Sequence, residues 1–185
     1  MTSDWPRILK RTTTTISPWV ELIARDVVFS AESAPETYHS VRTPDYVVAL
    51  AVTPDGRIPL VTQYRPALEA FTLELPAGLA DPGEDPAETA SRELLEETGL
   101  PTRAIYPLGI AAVDSGRSST RVHSYFVHAG ERVDGFKPET GVTMRIVTQA
   151  EFVRLIIDGT LNCQVQLGTV LQAALRGHFK LPNMQ

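Results

Sequence analysis

Residues Gly78–Leu100 read GLADPGEDPAETASRELLEETGL, with two Gly, four Glu and one Arg at fixed intervals: G-x5-E-x7-R-E-U-x-E-E-x-G-U, where U is aliphatic. Gly78, Glu84, Arg92, Glu93, Leu94, Glu96, Glu97, Gly99 and Leu100 meet every specified position. Asp85, Pro86 and Glu88 supply an N-cap, a proline at the first helical position and a capping-box carboxylate, so a helix is predicted to start here and to stop at Gly99. At 3.6 residues per turn, Ala87, Ala90 and Leu94 share one side, while Glu93 and Glu97 are i, i+4 neighbours with Glu96 beside them. The predicted helix has a core face and an anionic face.

Crowding these carboxylates on a last turn is unfavourable, because like charges repel and the helix C-terminal end carries partial negative charge. Arg92 reaches Glu96 at i+4, and Glu84, just before the helix, is placed to hold the guanidinium from the other side. One arginine does not neutralise the cluster. Hard divalent ions such as Mg²⁺ or Mn²⁺ favour an all-oxygen carboxylate site and stay partly hydrated, so substrate phosphates complete their shell. The bland alternative is a solvated acidic face. Such a face needs neither the glycines at fixed distances, nor the arginine, nor the aliphatic positions, so the full pattern favours a metal site. Gly78 also reads as a turn glycine between strand and loop.

The pattern is the signature of the Nudix hydrolases, which this chain resembles. Working outward, VTQYRPALEAFTLELPAGLADPGE, residues 61–84, resembles the ADP-ribose pyrophosphatase group, with its Q-[FY]-R run and E-[FL]-P-A-G before the box. The resemblance covers most of residues 15–178 and is strongest over Leu60–Leu100. It implies an α+β fold, the Nudix α/β/α sandwich with a mixed central sheet, and N-terminal strands used in dimerisation. It further implies cleavage of the diphosphate of a nucleoside diphosphate sugar, ADP-ribose to AMP and ribose 5-phosphate. The metal ligands it implies are the carbonyl of Ala77 with Glu93, Glu96 and Glu97, and two or three divalent ions would neutralise the diphosphate, acidify a water and stabilise the leaving phosphate.

Arg65 matches the family arginine that contacts substrate, the alternative being a surface or structural ion pair. Trp19 and Tyr38 occupy positions resembling two aromatics that sandwich adenine across the family's dimer, the alternative being core or edge-strand rings. Arg42 is a weaker candidate for a base or phosphate contact.

Two positions depart from the group. Many ADP-ribose enzymes carry a proline sixteen residues after the last box glycine, where this chain has Ser115. Asp114 and Gly116 still fit the surrounding loop, Asp114 as a candidate for the terminal sugar. The substitution keeps GDP-mannose or another nucleoside diphosphate-linked compound open as substrate. The second departure concerns the catalytic base, which several relatives carry as a loop glutamate where this chain has KPETGVTMRIV. Glu139 is the only carboxylate there and would serve if the loop closes; otherwise a box glutamate such as Glu96 orients the water, with Arg92 beside it. A Nudix-like binding module without catalysis is the remaining alternative, since fold alone does not prove activity.

The 185 residues, 43% hydrophobic, suit one domain, with N-terminal strands over about 15–43, a core over about 44–160 and a C-terminal helix over about 162–178. With 17 Lys plus Arg against 22 Asp plus Glu, a net −5, neither general nucleic-acid nor membrane binding is expected, and positive charge for an anionic substrate is supplied locally. Cys163 is the only cysteine, which excludes an intramolecular disulfide and reads as a small apolar residue. MTSDWPRILKR lacks the apolar run of a signal peptide and no stretch approaches transmembrane length, so a cytoplasmic location is expected.

Alternation and β-branched content predict strands over residues 19–30 and 37–42 and a buried strand over 45–53. The Pro54-Asp55-Gly56 turn then gives a hairpin with 58–64. Further strands are predicted near 72–75, 105–112, 121–129 and 143–147, and helices over 149–158 and 164–177, the last packing through Val165, Val170, Leu171 and Leu175.

Overall fold

The computed structural model describes residues 5–180, which form two compact units: 5–45 with Ala112–Arg121, and Tyr46–Ala111 with 122–180. In the first, β1 (Arg7–Ser17), β2 (Val20–Val28) and β3 (Glu36–Arg42) make an antiparallel sheet in the order β1-β2-β3. Ile23 and Val28 are its buried apolar side chains. The loop after residue 112 is stitched to β3: the Val41 N–H donates to the Arg117 carbonyl at 2.8 Å and the Ser119 N–H to the Val41 carbonyl at 3.1 Å. β1 begins at Arg7, well before the predicted start of the N-terminal strands at about residue 15. Its RTTTTIS run is exposed along almost its whole length, so no apolar alternation marks it, although threonine favours strands.

The second unit contains β4 (Tyr46–Val52), β5 (Ile58–Arg65), β6 (Ala70–Glu74), β7 (Ala77–Leu79), α1 (Pro86–Thr98), β8 (Thr102–Ala112), β9 (Arg121–Ala129), β10 (Val142–Val147), α2 (Gln149–Ile157) and α3 (Gln164–Leu175). Its strands make a mixed sheet ordered β7-β4-β9-β8, with β4 antiparallel to β7 and parallel to β9, and an antiparallel sheet ordered β10-β5-β6. The expected hairpin of β4 with β5 is not formed. The Pro54-Asp55-Gly56 turn is present, closed by Thr53 and Arg57, but both edges of β4 are taken by β7 and β9, so the turn carries the chain into the other sheet.

β4 is buried on both faces, and its side chains sort by parity. Val47, Ala49 and Ala51 pack with Ala90 and Leu94 of α1, whereas Val48 and Leu50 pack with Ile58, Leu60, Phe126, Phe152 and Val170. Helix, sheet and helices therefore form the layers of an α+β fold. Leu94 is fully buried, and truncating it to alanine would cost roughly 2–5 kcal/mol. α3 faces the core through Gln166, Thr169, Val170 and Ala173, at 3- and 4-residue spacing. Leu171 and Leu175, expected to pack with Val170, are exposed on the other side of the helix.

Candidate active site

α1 starts as its sequence dictates. The Asp85 carboxylate accepts the Ala87 N–H at 2.7 Å, Pro86 takes the first position, and Gly99 ends the helix at φ 72° in the left-handed region, its N–H donating to the Leu95 carbonyl. The reciprocal capping-box bond expected from Glu88 is not made; the fold's capping box lies at α2, between Thr148 and Glu151.

The anionic face is organised by Arg92. Its Nε and Nη2 donate to the two Glu84 oxygens, both at 3.0 Å, and its Nη1 donates to Glu93 at 2.9 Å and Glu96 at 3.0 Å. A second Nη2 bond reaches the Leu79 carbonyl at 3.1 Å. A guanidinium has five N–H groups, so Arg92 is saturated. These bonds raise its affinity for its proton and hold the Glu84 carboxyl down at about 2.

Gly78 explains itself here. It sits inside β7 without a positive φ, so the turn reading fails; a Cβ on it would lie 1.9 Å from Cδ of Glu93. The position is glycine because Glu93 packs against the backbone of β7.

Glu97 is different from its neighbours. Its side chain is turned inward, the residue only 5% exposed, and one oxygen accepts the Ala77 N–H at 3.1 Å. It has no ion-pair partner among the described residues. Burial pushes its carboxyl up to about 8, and the Glu93 charge adds to the push. Burial likewise raises Glu93 despite Arg92, with small contributions from Glu96 and from Glu139. Glu139 itself is exposed, in the loop before β10, with its carbonyl accepting the Val142 N–H.

Arg65 sits at the end of β5 and grips Glu74 of β6 by two bonds, Nε to Oε1 at 2.8 Å and Nη2 to Oε2 at 2.6 Å. Glu74 is 6% exposed and also accepts from Thr72 Oγ1 at 2.5 Å and Gln166 Nε2 at 3.1 Å. Burial opposes its charge, but the Arg65 and Thr72 bonds outweigh that and hold its carboxyl below the usual range. Glu74 is the glutamate of the E-[FL]-P-A-G run, but its pairing with Arg65 was not expected from the sequence, and nothing there marked Gln166. Arg65 keeps a 40% exposed side chain and lines a cavity of about 690 Å³ with Tyr46, Ala77, Gly78, Cys163 and Gln166. Cys163, expected as a small apolar residue, is exposed at the start of α3.

The remaining predicted residues lie in the first unit. Trp19 stands 61% exposed between β1 and β2, so it is not a core residue. Tyr38, on the edge strand β3, is partly open, packs edge-on against Phe29 at 5.7 Å and donates its hydroxyl to Glu36 at 3.2 Å. Arg42 donates from Nε to Glu21, its register partner on β2, at 2.6 Å. Asp114 uses its carboxylate within its own loop, accepting the Gly116 N–H at 2.9 Å.

The metal ligands that the resemblance implies are oxygens only: the Ala77 carbonyl on β7 and Glu93, Glu96 and Glu97 on α1. That set, with a buried carboxylate lacking a cation, fits a hard divalent ion. Among the described residues no three such side chains already converge on one position, because Glu93 and Glu96 are turned to Arg92 and Glu97 to the Ala77 N–H.

The chain is similar to ADP-ribose pyrophosphatases of Bacillus subtilis (39% identical over 85 residues, 46% of either chain) and of Mycobacterium tuberculosis (33% over 129 residues, 68% of this chain and 62% of that one). It is 41% identical over 85 residues, again 46% of either chain, to a methanol dehydrogenase activator of Bacillus methanolicus. The chain thus spans about half to three-fifths of the length of these curated relatives. Its backbone resembles the crystal structure of an ADP compounds hydrolase with a TM-score of 0.73 at 23% identity, over 94% of this chain and 97% of that one, a likeness of fold. The NUDIX domain family matches residues 42–155, which contain both the Arg92-centred carboxylates and the Arg65–Glu74 pair, and the chain belongs to that family.

Proposed function

We propose that this protein hydrolyses the diphosphate of ADP-ribose or a related nucleoside diphosphate sugar, giving a nucleoside monophosphate and a sugar phosphate. The observation that carries this reading is the pairing of a buried, cation-free Glu97 with an arginine, Arg65, that has N–H groups to spare. One calls for a cation and the other for an anion, and a metal-bound diphosphate supplies both. Mg²⁺, with Mn²⁺ as substitute, would be held by Glu93, Glu96, Glu97 and the Ala77 carbonyl, and when bound would offset the diphosphate charge and activate a water.

The chain's own residues do the rest. Arg92, with no N–H left for substrate, holds Glu93 and Glu96 in place. Gly78 lets Glu93 approach β7, and Arg65 orients a phosphate from the cavity side. Glu139, whose charge is felt at Glu93, is the base in this reading, with Glu96 the alternative. The exposed Trp19 and Tyr38 stack on the base of the nucleotide, with Arg42 near it, in a homodimer whose N-terminal strands are shared. Asp114 and Gly116 shape the loop near the terminal sugar, and the protein works in the cytoplasm as a single NUDIX unit with these strands appended. No helix among the described residues is long and apolar enough to cross a membrane.

Ser115, in place of the marker proline, favours a second reading in which GDP-mannose or another diphosphate-linked sugar is preferred. A panel of nucleoside diphosphate sugars with Mg²⁺, ranked by kcat/KM, separates the two. ADP-ribose at the top, releasing AMP, is the expected result; no turnover of any member contradicts both readings. Light scattering that finds only monomer at assay concentrations counts against the shared base site.

A further inference from the structure

We infer that Gln166, on α3, is a positioning residue for the diphosphate: through Glu74 it fixes the guanidinium of Arg65 so that its unused N–H groups are presented to the cavity. The inference rests on the cavity being the diphosphate site. Gln166 is 2% exposed and belongs to a helix whose other core-facing residues are Thr169, Val170 and Ala173. A buried amide is costly unless both its ends are bonded, and here both are. Its Oε1 accepts the N–H of the buried Leu75 at 2.8 Å, and its Nε2 donates to Glu74 Oε2 at 3.1 Å.

These partners also fix which way round the amide sits. Reversed, it would set an oxygen against the Glu74 carboxylate and an NH₂ against the Leu75 N–H, losing both bonds. Glu74 thereby receives four donors: two from Arg65, one from Thr72 and one from Gln166. A carboxylate held from this many directions cannot swing, so Arg65 is clamped along its Nε and Nη2 edge. Its Nη1 makes no hydrogen bond among the described residues, and the side chain is 40% exposed in the wall shared with Ala77 and Gly78. An arginine held on one edge and open on the other is preorganised for a phosphate. The helix that supplies the amide offers no other chemistry.

The test compares wild type with Gln166→Met, which keeps the volume but removes both bonds, and with Gln166→Leu, a second apolar replacement that can neither donate to Glu74 nor accept from Leu75. Gln166→Leu carries the test alone if the methionine variant does not fold. Each is made also in an Arg65→Lys background. Two readouts are taken: KM and kcat for ADP-ribose with Mg²⁺, and ADP affinity by titration calorimetry in metal-free buffer. The expected result is KM raised about tenfold with kcat within about twofold, and ADP binding weakened by a similar factor, the size of one lost hydrogen bond to a charged group. In the Arg65→Lys background the Gln166 change should alter either quantity less than about twofold.

Equal ADP affinity in wild type and both Gln166 variants overturns the inference, as does an undiminished effect in the Arg65→Lys background. Normal ADP-ribose turnover with unchanged KM in those variants removes the positioning role and leaves the proposed function standing. Wild type that turns over no nucleoside diphosphate sugar, yet binds ADP more tightly than the Gln166 variants, removes the function and leaves the positioning role.

Discussion

The β5–β6 network and the box helix each contain a buried glutamate and a well-bonded arginine, and they divide the bonds in opposite ways. In the first, Glu74 receives four donors and its carboxyl is held low, while Arg65 has engaged only Nε and one Nη2 hydrogen. In the second, Arg92 makes five bonds and has nothing left, while Glu97 receives one N–H and its carboxyl is pushed up to about 8. Exposure does not separate the two glutamates, at 6% and 5%. What separates them is the missing cation. One region leaves an arginine with N–H groups to spare and the other leaves a buried carboxylate without a cation; in the proposed function the first takes an anion and the second a cation.

Removing the unsatisfied carboxylate should have the largest effect. Glu97→Gln still accepts the Ala77 N–H, so the fold should persist, but AMP release from ADP-ribose should fall by about 10³-fold. Activity within tenfold of wild type would break the contrast between Glu97 and Glu74.

Next comes Gly78→Ala. Its Cβ would overlap Glu93, so either β7 or the glutamate must shift, lowering kcat by about 10²-fold and stability by about 1–3 kcal/mol. Denaturant unfolding and steady-state kinetics on the same preparation read both, and unchanged values would show that Glu93 moves aside freely.

Exchanging each arginine for lysine sharpens the comparison further. Arg92→Lys replaces five donors by three and should lower both kcat, by about tenfold, and thermal stability; Arg65→Lys should mainly raise KM, by about tenfold. The same pattern from both would mean that the arginines are not specialised.

The smallest effect is on stability against pH. Glu97, raised from 4.5 to about 8, contributes stability that is fully present below 4.5 and is lost as pH rises through about 8 in metal-free buffer. Glu74, depressed, contributes stability that is present above 4.5 and lost as pH falls through its lowered value. Mg²⁺ should offset only the alkaline loss, raising Tm by about 2–4 °C more at pH 8 than at pH 6. A metal effect independent of pH would place the cation away from Glu97.

The box was legible in sequence because its information is local. The Asp85 cap, the periodicity and the i, i+4 reach of Arg92 to Glu96 all lie within a few turns of one helix, and the structure forms them as expected, the reciprocal Glu88 bond excepted. The reason for Gly78 was not legible, since Glu93 meets it only after β7 packs on α1. Gln166 was hidden for the same reason. Its partner Glu74 is 92 residues away, and an amide inside an apolar helical pattern gives no periodic signal. The β4–β5 hairpin failed because a turn motif fixes a change of direction, not which strand edge is free to pair. β1 was missed because an exposed threonine run carries strand propensity without alternation.

The central claim is that Glu97 is left unsatisfied for a divalent ion which the diphosphate then completes. It is tested most directly by following AMP release from ADP-ribose in wild type with Mg²⁺, in wild type with EDTA, and in Glu97→Gln with Mg²⁺. The account predicts AMP and ribose 5-phosphate in the first case alone, with the other two reduced by about 10³-fold. Equal AMP release in all three would contradict it.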